Sequence, residues 1–348
     1  MVLYALLPVA WIVSLSFKAG DDIVNRRFLP RVWTLENYHT VFRTDIFTSA
    51  LRNSIAISLI ATSVSVVLAT LAAPALVAML AVTAYPMLRA LWLSLYSYRL
   101  TDPAAREFVG VRNYGVVLTD RLWWQDVATT AFVTAATVAV ELVIGFGFAT
   151  VMHRITFGRR LVRTSILVPY GIITVVSAFA WRYAFALDSG FVNRGLGLGN
   201  FAWFGHRWSA LVVIGLSEIW KTTPFMSLLL LAGLAQVPEE YQEAAKVDGA
   251  TWAQRLFRVT LPNMKAAIMV AVLFRTLDAY RIFDSVFVMT GGAQKTETVS
   301  FLAYRQTISR TALGLGSAVS VLLFLSVLGI AAVFIKGFRV DLGRVRGD

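Results

Sequence analysis

Apolar runs close to the roughly 20 residues that an α-helix needs to cross a bilayer core recur along the whole chain. They cover 74–98, 127–152, 162–186, 208–236, 266–290 and 312–336, and two more, 1–17 and 50–73, come before them. With 57% hydrophobic and 15% charged residues, a 348-residue chain has far more apolar surface than a soluble core can hide. The expected fold class is an all-α membrane protein, a polytopic helical bundle with six spans over 74–348 and an extra two-helix hairpin over 1–73. The first run begins at Val2 with no basic stretch before it and no small-x-small cleavage pattern, so no cleaved leader is expected.

Charge orients the spans. The formal net charge is +12, and the Lys and Arg lie mostly between apolar runs rather than on a basic helix, so a nucleic-acid partner is excluded in favour of the lipid bilayer. His153 to Arg163 carries Arg154, Arg159, Arg160 and Arg163 with no acid, which marks a cytoplasmic loop. Alternation then places 237–265 inside, together with the tail holding Arg339, Arg344 and Arg346, and places 99–126, 187–207 and 291–311 outside. Trp123, Trp124, Trp203 and Trp208 fall near outer span ends, where amphipathic rings favour the interface. The chain has no Cys, and its three His (His39, His153 and His206) are scattered, so thiol chemistry and a metal centre are not expected.

The N-terminal hairpin, 1–73, has a second copy in the residues immediately after it. Leu35-Glu36-Asn37-Tyr38 aligns at an offset of 76 with Val111-Arg112-Asn113-Tyr114, and Pro8 corresponds to Pro86 two residues out of register. The join is awkward. Ser54 to Tyr98 is an almost unbroken apolar stretch of 45 residues, about 67 Å as one helix and twice a bilayer core. A break near Pro74 and a fusion point at about residue 73 are expected.

The inside loop 237–265 is the richest in signals. Pro238 followed by Glu239 and Glu240 starts a helix, since the ring suits the first turn and carboxylates favour the positive end of the dipole. Gly249 ends it, and Thr251 caps a second helix with Trp252, Leu256 and Val259 on its apolar face. Ala244 and Ala245 keep the first helix slim enough for a groove on a partner.

Glu243-Ala244-Ala245, then Gly249, Val259 and Leu261-Pro262, resemble the cytoplasmic loop motif of binding-protein-dependent ABC importer permeases, with Val259 where that pattern usually has Ile. The resemblance implies that Glu243, Ala244, Ala245, Asp248, Gly249 and Pro262 contact and couple to an ATPase subunit dimer. It also implies a second homologous permease subunit, an extracytoplasmic sugar-binding protein, and a plasma-membrane location with the coupling loop and C-terminus cytoplasmic. The dipeptide Gly-Lys occurs nowhere, so no Walker A loop is present. This chain is therefore expected to be a non-catalytic subunit without a cofactor, with ATP and Mg on its partner.

Charges inside the spans offer a pathway. Arg275, Asp278, Arg281 and Asp284 alternate in sign at three-residue spacing, and Tyr280 lies among them. Arg275, Asp278 and Tyr280 fit a polar pathway wall and equally a structural ion network, which suits Arg281 and Asp284 better. Trp220, Lys221, Thr222 and Thr223 precede Pro224, which can open a polar kink for a hydroxyl-rich solute, and Glu218 can pair with Lys221. Glu141 reads as a buried pair or an interhelical hydrogen bond rather than a substrate ligand, and Pro169-Tyr170-Gly171 as a kink or a pathway element. Phe274 to Asp284, Leu167 to Ile172 and Trp220 to Met226 resemble the carbohydrate branch, closest to the first permease of actinobacterial trehalose importers, while 1–73 resemble the start of the second permease. Inward disaccharide transport by alternating access follows from that likeness. The rival classes are an ion-coupled secondary carrier or channel, and a defective hybrid permease.

Overall fold

The computed structural model describes residues 2–19, 27–69, 72–155, 158–188 and 190–337. The basic tail with Arg339, Arg344 and Arg346 and the chain between Ala69 and Ala72 lie outside them. Helices α1 (Val2–Ser16), α2 (Glu36–Arg43) and α3 (Asp45–Ala69) form the N-terminal part. Next come α4 (Ala72–Ser94), a hairpin of β1 (Tyr96–Arg99) and β2 (Asp102–Phe108), α5 (Arg112–Thr119) and α6 (Arg121–Arg154). The expected third span is two helices, α7 (Arg159–Gly171) and α8 (Thr174–Ala184); short α9 (Phe191–Leu196) precedes long α10 (Arg207–Leu234). The loop 237–265 holds α11 (Glu239–Val247) and α12 (Trp252–Arg255), and α13 (Lys265–Ala279), α14 (Asp284–Met289), α15 (Val299–Tyr304) and α16 (Leu313–Gly337) complete the bundle.

Sequence periodicity and this architecture differ in four places. The antiparallel hairpin β1–β2 adds two strands to an otherwise helical fold, with Tyr96 at the end of the expected span 74–98 paired with Phe108 in the loop after it. The expected span 162–186 bends by 89° at Ile172 and Ile173, both extended, just after Pro169 and Gly171. The expected span 266–290 stops at Ala279, and α14 leaves on a new course after Phe283 abandons helical angles. Pro224, by contrast, does not break α10, which runs on to Leu234. Thr222 and Thr223 hydroxyls donate back to the carbonyls of Glu218 and Ile219, so the polar side chains around Pro224 are satisfied within the helix.

Among the described residues, α6 and α16 are each long and apolar enough to cross a membrane, and the bent pair α7–α8 qualifies as one broken span. Small residues set the helix contacts, as expected where lipid supplies no hydrophobic drive between helices. A Cβ on Gly233 of α10 would collide with the Ala267 Cβ on α13, so only glycine permits that crossing. Met152, Ile166, Met226, Leu230 and Met264 pack into a core just above it.

The repeat has a physical counterpart. Asn113 Nδ2 donates to the carbonyls of Ser94 (2.7 Å) and Tyr96 (2.9 Å), and Tyr114 OH meets Ser94 Oγ at 2.6 Å. In the N-terminal part Asn37 Nδ2 donates to the carbonyls of Ser16 (3.1 Å) and Lys18 (2.6 Å), and Tyr38 OH donates to Ser16 Oγ at 2.7 Å. One side-chain clamp thus ties α2 to the end of α1 and, again, α5 to the end of α4. Each such amide bond contributes about 1 kcal/mol net, and each orients the helix after it.

Candidate functional site

Four charged side chains from three helices meet inside the bundle. Glu141, the lone acid in the middle of α6, is fully buried and receives a two-pronged bond from Arg275 of α13, Nε to Oε2 at 2.5 Å and Nη2 to Oε1 at 3.0 Å. Arg275 Nη1 donates to Asp278 Oδ2 at 2.7 Å, and Nη2 lies 3.7 Å from Glu218 Oε2 on α10. Ser285 Oγ on α14 donates to the other Glu218 oxygen. Paired donors on a planar guanidinium match a carboxylate in geometry as well as charge, and removing one partner of such a buried pair costs about 3–5 kcal/mol.

The arrangement separates the sequence candidates. Arg275 and Asp278 come together, with Glu141 and Glu218 as partners that the chain order conceals, 134 residues from Arg275 in the case of Glu141. The side chain of Arg275 is 1% exposed and that of Asp278 63%. Asp278 is therefore the member of the network that faces open space. Trp220 is buried beside Trp181, their centroids 6.1 Å apart, and Thr222 and Thr223 are buried as well. Tyr280 is buried. Lys221 does not pair with Glu218; its ammonium lies 5.7 Å from the Tyr170 ring centre, and Tyr170 stacks on Phe225. Arg281 and Asp284 form no ion pair among the described residues, because the chain leaves the helix between them.

Of the four tryptophans assigned to the outer interface, Trp124 and Trp208 are exposed, Trp203 is half-buried and donates to Asn193, and Trp123 is core. Sequence reading missed a further pair, half-buried Arg305 Nη1 to buried Glu297 Oε2 at 2.8 Å. Burial pushes the Glu297 carboxyl above the usual carboxylate range, and Arg305 and Arg310 oppose that shift. No group of three metal-ligating side chains occurs among the described residues.

The loop 237–265 forms as its sequence directs. Helix α11 has no buried residue, and Val247 is 88% exposed. Its end is a left-handed turn: Gly249 has φ +74°, and Ala250 N–H reaches back to the Ala245 carbonyl at 2.9 Å. Thr251 then caps α12 reciprocally with Gln254, and Gln242 Nε2 bonds Thr260 Oγ1 at 2.8 Å, which joins the two halves of the loop. Glu243, Ala244, Asp248 and Gly249 lie open, Ala245 is half-buried, and Pro262 is exposed on the turn that enters α13. The expected apolar face is only partly covered: Leu256 and Val259 are half-buried, whereas Trp252 and Phe257 are exposed.

Residues 141–338 match the model of the binding-protein-dependent transport system inner membrane component, a stretch that begins at the Glu141 of the buried pair and contains the whole loop. The chain belongs to that family. It is an integral membrane transport component and not an enzyme. It is 50% identical over 257 residues to the trehalose transport system permease protein SugA of Mycobacterium tuberculosis, covering 74% of this chain and 83% of the relative. It is 36% identical over 268 residues to the trehalose/maltose transport system permease protein MalF of Thermococcus litoralis, 76% of this chain and 88% of the relative. Among solved structures, a bacterial ABC transporter that imports the acidic polysaccharide alginate shares the fold, with a TM-score of 0.68 over 84% of this chain and 99% of that one at 18% identity. Within the family, the structural features above sort into an exposed loop helix and a charge network that joins three bundle helices.

Proposed function

We propose that this chain is a permease subunit of an ATP-driven sugar importer that moves a disaccharide of the trehalose type inward by alternating access. The observation that carries this reading is the exposed helix α11, which presents Glu243, Ala244 and Ala245 and is stopped by left-handed Gly249. The trehalose and trehalose/maltose permeases at 50% and 36% identity point to the substrate class. The loop and the C-terminus face the cytoplasm, an ATPase dimer receives α11, a second permease closes the pathway, and an extracytoplasmic binding protein delivers the sugar. A solved relative of the fold, held in complex with a pentasaccharide-bound periplasmic protein, accords with such a partner. Residues 74–348 form the six-span permease domain, and 1–73 a partial copy like the start of a second permease.

In this reading the Glu141–Arg275 pair locks α6 to α13, and Asp278 lines the path. Trp220, Thr222, Thr223 and Tyr280 shape the wall from behind. Lys221 with Tyr170 supplies a cationic and aromatic edge. The test is reconstitution with the companion permease, the ATPase and the binding protein, reading ATP-dependent uptake of trehalose, maltose and sucrose. Trehalose uptake that requires ATP and the binding protein is expected. Transport that continues without ATP or an ATPase would overturn the proposal in favour of a secondary carrier.

A further inference from the structure

A cavity of about 490 Å³ lies apart from the buried charge network, between the last turns of α6, the end of α10 and the loop helices α11 and α12. That volume is within the range that small-molecule sites occupy. Its walls carry both signs of charge. Arg154 lines it from α6, Lys246 from α11 and Arg255 from α12, while Glu239 and Glu243 line it from α11. None of these five side chains forms an ion pair among the described residues. Arg154 also complements the negative end of α6, a role that leaves Arg255 unexplained. The Nε of Arg255 is buried and has no hydrogen-bond partner among the described residues, and a buried N–H without an acceptor costs free energy until one is supplied.

A bare anion would satisfy the cations and be repelled by the two acids. An occupant with hydroxyls as well as a phosphate satisfies both sets. Its hydroxyls donate to Glu239 and Glu243, and its phosphate oxygens accept from Arg154, Lys246 and Arg255. The rings of Phe146 and Trp252, which also line the cavity, offer apolar faces to the carbon skeleton between those groups. We infer that this cavity binds a hydroxyl-rich phosphate ester, and that the occupant ties the end of α6 to the loop. Two sources carry that chemistry: the glycerol phosphate headgroup of an anionic lipid beside the end of α6, and a soluble sugar phosphate. The site is separate from Arg275 and its partners, and binding is read on the chain alone without transport, so this inference and the importer reading can fail separately.

In the first arm of the test, full-length chain in nanodiscs of phosphatidylcholine is titrated with radiolabelled glucose 6-phosphate. Saturable binding assigns the soluble source, provided that glucose and inorganic phosphate each displace the label only at about tenfold or higher concentration than unlabelled glucose 6-phosphate. Displacement by inorganic phosphate or glucose at equal concentration would overturn the hydroxyl-rich assignment. In the second arm the chain is extracted from membranes of mixed phosphatidylcholine and phosphatidylglycerol, and native mass spectrometry reads the lipid that stays bound. Retention of phosphatidylglycerol above phosphatidylcholine assigns the lipid source. In whichever arm responds, Arg255→Gln should weaken binding about tenfold or more. Arg154→Gln should do the same from a different helix, which separates loss of the site from a misfolded loop. Arg258→Gln, exposed and outside the cavity, should leave binding unchanged. No binding in either arm overturns the inference. Native-level binding by the Arg255 or Arg154 variant also overturns it, as does an equal loss from Arg258→Gln, which would mark diffuse attraction to a basic surface.

Discussion

Helices α3 and α6 begin at corresponding points of the repeat and have opposite surroundings. Asp45 and Arg121 open them at the same offset of 76, and each comes after an eight-residue helix held by the same Asn and Tyr clamp. Yet α6 is enclosed by α10 and α13, while α3 is exposed from Asp45 to Ser65. Where α6 has Glu141, α3 has Ser65. Local structure therefore follows local sequence in both copies, but burial follows the partner helices, and only one copy has them. Within the matched pair, the carboxylate at position 141 is buried because Arg275 stands opposite it.

This contrast can be broken from the larger effect to the smaller. Arg275→Leu should destabilise the protein by about 3–5 kcal/mol in detergent, because it strands Glu141 in an apolar interior. Ser65→Ala, at the matching place in α3, should shift the melting temperature negligibly. If the two behave alike, the ion pair is not what fastens α6. Asn113→Ala removes two bonds that orient α5 against the enclosed bundle and should cost about 1–3 kcal/mol. Asn37→Ala breaks the same clamp in the exposed copy and should cost less in global stability, read by thermal unfolding of the purified chains. Equal losses would mean that the first copy belongs to the same cooperative unit. At the smallest scale, Asp278→Asn should alter substrate-stimulated ATPase of the assembled transporter several-fold more than Asp284→Asn, since Asp278 is open and bonded to Arg275 while Asp284 pairs with no cation among the described residues. Equal, negligible effects would make Asp278 purely structural.

Much of this organisation was legible because it is local. Apolar run length marked the helices, Gly249 and Thr251 marked a stop and a cap within a few residues, and Asn37 and Asn113 marked the repeat. The parts that escaped depend on distant partners or on backbone choices that periodicity does not carry. The charges of the Glu141–Arg275 pair were visible as anomalies in apolar helices, but chain order gave no hint of who meets whom across 134 residues. Pro224 suggested a broken helix, yet threonine hydroxyls accommodate it; Pro169 and Gly171, with the same composition cues, do bend the chain. Strands β1 and β2 escaped because β2 is exposed along its whole length, so no apolar alternation marks it.

The central claim is that α11 transmits ATPase motion to the bundle, and Gly249 tests it most directly. Its φ of +74° is costly for any side chain, by roughly 1–2 kcal/mol, and nothing lies within 4 Å of an added Cβ. Gly249→Leu should therefore leave insertion and folding intact while altering the end of the docking helix. The decisive measurement is sugar transported per ATP hydrolysed by the reconstituted transporter. At least about a tenfold fall in that ratio, with ATPase activity retained, is expected for a coupling worth about 1.4 kcal/mol or more. An unchanged ratio would contradict the assignment of α11 as the coupling element.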